Sequence, residues 1–394
     1  MTAYSSPRGE WEKRTAQLKE AGLERRMRNC AGATGAKVVI DGAEKHLFCS
    51  NDYLGLANHP KLKQAMIQAA TALGTGAGAS RLVSGNMDIH RALEHAAATF
   101  VGKERARLFV SGYQANVGGI SALTGRGDAI FSDALVHASL IDGARLSRAD
   151  VHVYRHSDMG HLERLLKDAR GYRLKLVVTD TIFSMDGDVA KLNDIVEISK
   201  KHGAGVYIDE AHAIGVVGPG GRGVAAELGL LDDIDVLIAT FSKALGVSGA
   251  FVATSSSAAS LITTKARSLL YTTAPPPPVA AVALESLALV EMADDRRGKL
   301  ASNIEKFRNC AKSAGLPTLD STTAIQPIMT GDNRRTMAVS EALFAQGFFV
   351  QGIRPPTVPE GEGRLRVTLS ANHDTETITA LVQAIDRALS KVKE

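Results

Sequence analysis

Cysteine is scarce in this chain and widely scattered. The three cysteines, Cys30, Cys49 and Cys310, are odd in number and nowhere form a CxxC pair. That pattern argues against a disulfide framework and against a zinc site built on paired cysteines. We therefore expect reduced thiols, a cytoplasmic protein and no metal centre.

Aromatic residues, blocks of positive charge and long apolar runs are also in short supply. Aromatic residues make up 5% of the chain, and the formal net charge is only +4. We therefore expect no nucleic-acid partner. The apolar tract Val279–Val290 is broken by Glu285 and is too short to span a bilayer. The opening MTAYSSPRGEWEKR is polar and charged, unlike a signal peptide, so we expect no membrane partner.

What the chain does have is a regular alternation of helix-like and strand-like runs from about Pro60 to Leu270. The helix-like runs are Lys61–Leu73, Ile89–Phe100, Leu162–Ala169 and Ile195–Lys201. The strand-like runs are Arg107–Val110, Ala129–Ser132, Leu174–Thr179, Val206–Ile208, Val236–Ala239 and Gly249–Ala253. Strands separated by helices predict an α/β fold with a mostly parallel sheet covered by helices.

The segments before and after this region predict further helices and strands. Glu10–Cys30 reads as a charged helix and Lys37–Cys49 as a short hairpin. A long helix is expected after the breaker APPPP at Ala274–Pro278, followed by a compact α+β part that ends in a helix. Its apolar segments are Gln326–Met329, Phe348–Ile353 and Leu365–Leu369. We predict an N-terminal arm and hairpin at residues 1–58, a large domain at residues 59–285 and a small domain at residues 286–394.

The candidate catalytic residues follow two apolar runs that end in polar residues. VYID is followed by Glu210 and His212, and DVLIAT by Ser242 and Lys243. Such runs are typical of buried parallel strands, and ligands bind beyond the carboxyl ends of those strands. We therefore expect an acid, an imidazole, hydroxyls and an amine to meet at one edge of the sheet.

Lys243 in TFSKALG is the strongest candidate in this set. A lysine at a strand end is usually exposed. Here it follows hydroxyl groups and precedes Gly246 and Gly249, a composition suited to a turn around an anion. A lysine held there can form a Schiff base with an aldehyde. We therefore hypothesise that this edge binds pyridoxal phosphate.

Two residues of the DEAH segment fit that hypothesis. Asp209 would face the pyridine nitrogen, because a carboxylate there keeps the ring protonated. His212 would hydrogen-bond the phenolic oxygen. The alternative is a salt-bridged acid and a histidine with a purely structural role, which is commoner for an isolated pair. A helicase is not indicated, since no GxxxxGK[ST] loop precedes the motif.

Other candidates each have a plainer alternative. Gly112 and Tyr113 lie at a strand-to-helix junction, where backbone N–H groups bind phosphate, although most such junctions bind nothing. Thr240 is a second phosphate candidate. His137 is either a core histidine or a ring that stacks on a flat cofactor, and Ser184 is either a turn hydroxyl or a cofactor ligand.

Arg366 and two glycine clusters complete the set. Arg366 is either a solvated surface residue or the bidentate partner of a substrate carboxylate. GTGAGAS at Gly74–Ser80 follows a helix and is a poor dinucleotide motif. GPGGRG at Gly218–Gly223 matches GxGxxG but contains Pro219, so we interpret it as a loop near the site. A nucleotide-binding regulatory protein built on this loop remains the alternative.

Taken in order, the motifs resemble those of the α-oxoamine synthases, which are aspartate-aminotransferase-like, fold-type I pyridoxal-phosphate enzymes. The similarity covers nearly the whole chain. The motifs that carry it are NDYLGL, SRLVSG, SGYQAN, HASL, FSMDGD, DEAHA, TFSKALG and RLRVTLS.

The resemblance implies a role for each candidate. The catalytic residues would be Lys243, His137, Asp209 and His212, and the other cofactor contacts would be Gly112, Tyr113, Ser184, Thr240 and Thr272. The substrate contacts would be Arg25, Asn51, His137, Thr357 and Arg366. Members of the family are homodimers with active sites at the interface, so Thr272 or Thr273 would reach the phosphate of the neighbouring subunit.

The resemblance also implies a substrate pair. The segments Gln326–Asn333 and Ile353–Pro359 are most similar to members that condense L-alanine with a pimeloyl thioester of coenzyme A or of a carrier protein. The same-fold alternative is a related synthase that uses glycine or serine with another acyl-CoA, such as 2-amino-3-ketobutyrate CoA ligase.

Overall fold

The computed structural model describes residues 6–392 of the chain. The chain divides into two compact units, Asn51–Leu300 and, formed from both ends of the sequence, Met1–Ser50 with Ala301–Glu394. Within the described residues, no helix is both long enough and apolar enough to span a membrane.

The elements are numbered in chain order. The strands are β1 (Cys30–Ala31), β2 (Lys37–Ile40), β3 (Ala43–Leu47), β4 (Arg105–Phe109), β5 (Ala129–Asp133), β6 (Asp150–Tyr154), β7 (Lys175–Asp180), β8 (Gly205–Asp209), β9 (Val236–Thr240), β10 (Ala250–Thr254), β11 (Ile325–Gly331), β12 (Phe348–Phe349), β13 (Gln351–Ile353) and β14 (Gly363–Thr368). The helices are α1 (Pro7–Glu20), α2 (Pro60–Leu73), α3 (Asp88–Phe100), α4 (Gly112–Leu123), α5 (Ala138–Ser147), α6 (Met159–Asp168), α7 (Leu192–Lys201), α8 (Val224–Glu227), α9 (Ser256–Lys265), α10 (Arg267–Leu270), α11 (Pro277–Glu291), α12 (Asp294–Ser313), α13 (Asn333–Ala345) and α14 (Thr375–Lys391).

The larger unit is built on a seven-stranded sheet with the order β4-β10-β9-β8-β7-β5-β6. The strands from β6 to β9 run parallel, and β10 pairs antiparallel with both β9 and β4. The mostly parallel sheet predicted from the sequence is confirmed. Because β8 and β7 pair in register, Asp209 lies directly beside Asp180 at the carboxyl edge.

Burial explains why the strands of this sheet were recognisable. Every residue of β5, β9 and β10 is buried, so no alternation of apolar and polar residues is needed. Helix α4 packs against α5 and against β9 and β10, which brings its first turn to the carboxyl edge. The predicted helix after APPPP is confirmed as α11, which packs against α2 and α3.

The smaller unit contains two sheets, with the orders β1-β2-β3-β12 and β11-β14-β13. The predicted segment Phe348–Ile353 is divided between these sheets, because β12 pairs with β3 and β13 pairs with β14. The predicted C-terminal helix is confirmed as α14. The hairpin predicted at Lys37–Cys49 is confirmed by β2 and β3.

The charged helix predicted over Glu10–Cys30 is shorter than expected. Helix α1 ends at Glu20, where Gly22 adopts φ +67°. The Leu23 N–H donates to the Leu18 carbonyl at 2.8 Å, and the Gly22 N–H donates to the Lys19 carbonyl at 3.0 Å. This is the glycine-dependent arrangement that terminates helices.

The turn that carries Lys243 is held against the turn that follows Asn51. Gly246 has φ +69°, and a Cβ there would lie 2.5 Å from the Ala57 backbone nitrogen. Asp52 fixes the second turn, since its Oδ1 accepts a hydrogen bond from the Leu56 N–H at 2.8 Å. The close approach of these two backbones requires a glycine at position 246.

We expect Gly246→Ala to lower the free energy of unfolding by about 2–4 kcal/mol, from a left-handed backbone and an overpacked contact. Gly127→Ala is the matched control, because Gly127 has φ +84° but no heavy atom within 4 Å of its Cβ position. Gly127→Ala should lower the free energy of unfolding by about 1 kcal/mol. Urea unfolding followed by circular dichroism measures both, and equal losses would contradict the packing argument.

Candidate active site

The carboxylate of Asp209 ends β8, the central strand of the seven-stranded sheet, and is buried. Its Oδ2 accepts a hydrogen bond from Asn116 Nδ2 at 2.7 Å. Its Oδ1 accepts one from the Ala211 backbone N–H at 2.8 Å. A carboxylate in a fixed orientation therefore lies at the carboxyl edge of the sheet.

His137 caps the start of α5 at the same edge. Its backbone N–H donates to Asp180 Oδ2 at 2.8 Å, and its ring Nδ1 lies 2.7 Å from the Ser139 hydroxyl. The pKa of this imidazole is lowered, chiefly by burial; the Asp209 charge acts to raise it and the Lys243 charge to lower it. The structure thus brings His137, Asp209 and Lys243 within electrostatic reach of one another.

Lys243 is half-buried in the turn after β9, and Thr240 shapes that turn. The Thr240 hydroxyl accepts a hydrogen bond from the Ser242 N–H at 3.1 Å and donates to the Gly249 carbonyl at 2.9 Å. A Cβ on Gly112 would lie 3.8 Å from the Thr240 Cβ. Two of the predicted phosphate contacts are therefore neighbours.

The first turn of α4 is a second feature suited to an anion. The Ser111 hydroxyl accepts a hydrogen bond from the Gln114 N–H at 3.2 Å and caps the helix. The N–H groups of Gly112 and Tyr113 lie in the turn where helical carbonyls are out of reach, and such groups bind phosphate. The Tyr113 hydroxyl donates to Asp142 Oδ2 at 2.6 Å, which raises the pKa of Tyr113.

His212 is linked to the NDYLGL turn through a tyrosine. Its ring Nδ1 lies 2.7 Å from the hydroxyl of Tyr53, which is itself buried. The Tyr53 hydroxyl donates to Asn51 Oδ1 at 3.1 Å. Two predicted site residues from distant parts of the sequence, His212 and Asn51, thus meet through one side chain.

Ser184 is half-buried in the turn after β7, and Asp188 lies in the same turn. His156 clamps that turn to the sheet, because its Nε2 donates to Asp188 Oδ2 and its Nδ1 to Asp133 Oδ1, each at 2.9 Å. Burial opposes a charged ring, but the hydrogen bonds to Asp133 and Asp188 outweigh it and raise the pKa of His156 to about 9. His156 is therefore an imidazolium at neutral pH.

The glycine-rich segment GPGGRG is shaped by a buried carboxylate. Glu210 accepts hydrogen bonds from the Thr181 hydroxyl at 2.7 Å and from the N–H groups of Val224 at 3.0 Å and Ala225 at 2.8 Å. A Cβ on Gly223, which has φ +99°, would lie 2.7 Å from the Glu210 carboxyl carbon. Burial raises the pKa of Glu210 to about 7. Gly223 therefore serves internal packing, and the segment does not follow a strand directly as a nucleotide-binding loop does.

In the smaller unit, two arginines and a hydroxyl gather at one place. Arg25 Nη2 donates to Thr357 Oγ1 at 3.2 Å. Arg354 is buried, and its Nη2 donates to the Glu24 carbonyl at 2.6 Å. Its Nε has no hydrogen-bond partner within residues 6–392. Burial and the nearby Arg25 charge lower the pKa of Arg354. Such a cluster is suited to an anionic group.

Arg366 is buried on β14 of the same unit, where it pairs in register with Gln351 and Pro327 of the neighbouring strands. The positive charge of Arg366 acts on the thiol of Cys49. Burial raises the pKa of Cys49 to about 12, although Arg366 acts to lower it. Arg366 is therefore not a solvated surface residue, which was the alternative that the sequence left open.

Thr272 lies between α10 and α11, away from the cluster around Asp209 in the sequence, and is half-buried. The adjacent Tyr271 is 73% exposed, and Val83 of the SRLVSG segment is 79% exposed. The Ala274 N–H donates to the Ala79 carbonyl at 3.0 Å and joins the two segments. Exposed apolar groups of this kind are typical of protein–protein contact surfaces.

Several side chains at these positions were not predicted from the sequence. Asn116, Ser139, Tyr53 and Arg354 lie inside SGYQAN, HASL, NDYLGL and IRPPTVP, so membership of a motif is the signal that marks them. His156 lies outside every motif. Only the pairing of β5 with β6 and the turn after β7 bring it between two carboxylates.

Comparison with known families and sequences gives consistent results. The family Aminotransferase class I and II matches residues 43–385. The 8-amino-7-oxononanoate synthase of Citrifermentans bemidjiense is 48% identical over 380 residues, which cover 95% of this chain and 97% of that protein. The synthase of the same name from Geobacter sulfurreducens is also 48% identical and covers 94% of this chain and 95% of its own.

Solved structures show the same fold. A serine palmitoyltransferase from S. paucimobilis, solved with bound PLP, superposes with a TM-score of 0.92 at 31% identity and covers 97% of each chain. The 8-amino-7-oxononanoate synthase from Francisella tularensis superposes with a TM-score of 0.77 at 28% identity, over 88% of this chain and 98% of its own. The fold-type I prediction is confirmed.

The His156 clamp predicts a pH-dependent contribution to stability. Its folded-state pKa of about 9 lies above the ordinary value of 6.5. The contribution, about 3 kcal/mol, is therefore complete below pH 6.5 and is lost as pH rises through 9. Urea unfolding of His156→Asn and of the unaltered protein at pH 6 and pH 10 measures it. His95→Asn, on the exposed side of α3, is the control. A difference that does not change with pH would contradict the assignment.

Proposed function

Because the chain belongs to the aminotransferase class I and II family, we propose that it is a pyridoxal-phosphate-dependent acyltransferase. It transfers the acyl group of a thioester to the α-carbon of an amino acid and releases the thiol and carbon dioxide. The observation that carries the proposal is the sheet edge at which the charges of Asp209 and Lys243 act on His137. A fixed carboxylate, an imidazole and an amine are the groups that this cofactor's chemistry uses.

The relatives are named after the product of their reaction, and the chemical structure of that product indicates the two substrates. 8-Amino-7-oxononanoate has a methyl group and an amine at its C8 end, which is alanine without its carboxyl group. Its remaining carbons, with a ketone at one end and a carboxylate at the other, form a pimeloyl unit. We infer that the chain condenses L-alanine with pimeloyl-CoA or a pimeloyl carrier protein, a step of biotin biosynthesis.

The residues of the larger unit fit pyridoxal phosphate. Asp209 is a buried carboxylate whose two oxygens accept hydrogen bonds from Asn116 and Ala211, and these bonds fix its orientation. The N–H groups of Gly112 and Tyr113, beside Thr240, provide a place for the phosphate. Lys243 would hold the cofactor through its aldehyde. When bound, pyridoxal phosphate supplies an electron sink for the α-carbon of the amino acid.

The side chains divide the proton transfers between them. Asp209 would hold a proton on the pyridine nitrogen, since a buried carboxylate favours a cationic partner. The Nζ of Lys243 would take the proton from the α-carbon and return one after carbon dioxide leaves. His212 and Ser184 would contact the phenolic side of the ring, and His137 would cover its face.

Arginines of the smaller unit are assigned to the substrate carboxylates. Arg366 would bind the carboxylate of alanine through its guanidinium, which is buried and therefore little weakened by water. Arg25 and Thr357, which share a hydrogen bond, would contact the acyl substrate. Asn51, held by Tyr53, would contact the amino acid.

The proposal includes a homodimer in the cytoplasm. The exposed side chains of Tyr271 and Val83 support a contact with a second copy, in which Thr272 would reach the partner subunit's phosphate. The three cysteines are free thiols, as is usual in a reducing compartment.

A second candidate reaction comes from the structural neighbours. Serine palmitoyltransferase superposes better than the Francisella synthase, which favours serine and a long acyl thioester. A shared fold does not determine the substrate, however. The higher sequence identity, 48% against 31%, supports the alanine reaction.

We expect Lys243→Ala to lower the rate of condensation by at least about a thousandfold, because the amine that moves the α-proton is lost. Sodium borohydride should attach the cofactor to the peptide that contains Lys243 in the unaltered protein and to no peptide in the variant. Peptide mass spectrometry detects the attachment. Lys265→Ala, at an exposed position of α9, should keep both properties. Attachment to another lysine in Lys243→Ala would contradict the assignment.

An assay that crosses amino acids with acyl thioesters decides between the two reactions. We expect alanine with a pimeloyl thioester to give a kcat/KM roughly tenfold or more above glycine or serine with pimeloyl-CoA, and above any amino acid with palmitoyl-CoA. Thiol release and mass spectrometry of the product give the values. Preference for serine with palmitoyl-CoA would replace the proposed reaction with the second candidate.

A further inference from the structure

Asn116 contacts both Asp209 and Ser139, whose hydroxyl lies beside the ring of His137. It lies on α4 and is buried. Its Nδ2 donates to Asp209 Oδ2 at 2.7 Å and to Ser139 Oγ at 2.9 Å. Its Oδ1 accepts a hydrogen bond from the Tyr207 hydroxyl at 3.3 Å. All the polar atoms of the Asn116 amide group are therefore used.

The chemistry of these partners determines the direction of each hydrogen bond. An ionised carboxylate only accepts, so the Asn116 amide must direct its N–H group toward Asp209. Ser139 Oγ receives the second N–H of Asn116 and keeps its own proton to donate to His137 Nδ1, 2.7 Å away. The Ser139 backbone N–H also donates to His137 Nδ1, at 3.3 Å. The ring Nδ1 therefore accepts two hydrogen bonds, and the proton of the neutral imidazole lies on Nε2.

We propose that Asn116 is a positioning residue that acts on two side chains of the site. It fixes the Asp209 carboxylate by direct donation, and through Ser139 it directs two donors at His137 Nδ1, so that the neutral imidazole carries its proton on Nε2. The inference rests on the proposed function, because a pyridine ring that stays protonated needs an anion at its nitrogen and no cation against its face. A charged imidazole in that place would repel the protonated ring and weaken its binding.

Charged groups near His137 act on its proton affinity in both directions. Asp180 accepts its backbone N–H, and the carboxylates of Asp209 and Asp142 act to raise its proton affinity, whereas Lys243 acts to lower it. The pKa of Asp180 is itself raised well above its ordinary range, chiefly by burial and then by the Asp209 charge. Burial is the main reason that the pKa of His137 is lowered, and the two donors aimed at Nδ1 act in the same direction because they oppose protonation there.

The test separates the two branches of the hydrogen-bond chain. Ser139→Ala cuts only the branch to His137, Asn116→Ala cuts both, and Ser139→Thr restores the hydroxyl. One measurement is the protonation midpoint of His137 in the full-length protein without cofactor, from NMR of 15N-histidine-labelled samples assigned with His137→Asn. The other is the dissociation constant of pyridoxal phosphate without substrate. Circular dichroism verifies folding.

We expect Ser139→Ala to raise the His137 midpoint by about one pH unit, the equivalent of one lost hydrogen bond. Its cofactor dissociation constant near pH 8, where His137 stays neutral, should remain within about twofold of the unaltered protein. Asn116→Ala should raise the midpoint similarly and weaken cofactor binding at least about tenfold at the same pH, because Asp209 loses a donor. Ser139→Thr should restore the midpoint.

An unchanged His137 midpoint in folded Ser139→Ala would overturn the inference, as would equal cofactor losses in Ser139→Ala and Asn116→Ala. If Asn116→Ala does not fold, the Ser139→Ala and Ser139→Thr pair still decides the branch to His137. An unaltered protein that neither binds pyridoxal phosphate nor condenses alanine would overturn the proposed function. The His137 midpoint is measured without cofactor and reports on the hydrogen-bond chain in either case.

Discussion

A carboxylate buried at the end of a strand is stable only where hydrogen-bond donors contact it. The arrangement of the sheet edge around Asp209 depends on such donors. Its donors come from α4 and from the backbone after β8, so the helix and the strand must both be in place. Asn116 extends the requirement to Ser139 and His137 on the next helix. The position of one carboxylate thereby fixes the relative position of three segments that are distant in the sequence.

The other half of the edge depends on backbone contacts more than on side chains. The turn with Lys243 is held internally by Thr240 and externally by the approach of Gly246 to Ala57. His156 holds the turn with Ser184 by an ion pair at each ring nitrogen. Reactive groups placed on strand ends and fixed turns keep their geometry better than groups on free loops.

The sequence alone located the strands and the residues at their ends, because fully buried parallel strands are continuous apolar runs. It could not identify the partners of those residues. Spacing shows where Asp209 lies along β8, but not that Asn116 faces it from α4, since that contact depends on packing between elements ninety-three positions apart. The same limit applies to His156 and to the division of Phe348–Ile353 between two sheets, whereas the early end of α1 follows from a local signal, Gly22. The order of the motifs predicts the cofactor, whereas the direction of each hydrogen bond follows only from the three-dimensional structure.

The burial of Cys49 has a consequence for an enzyme that handles activated acyl groups. Thioesters exchange with thiolates and hardly at all with protonated thiols. Arg366 would ordinarily make a nearby cysteine more acidic, yet burial keeps the pKa of Cys49 at about 12. A buried arginine can therefore lie near a cysteine without turning it into a thiolate, and the Cys49 thiol does not capture the acyl group intended for the amino acid.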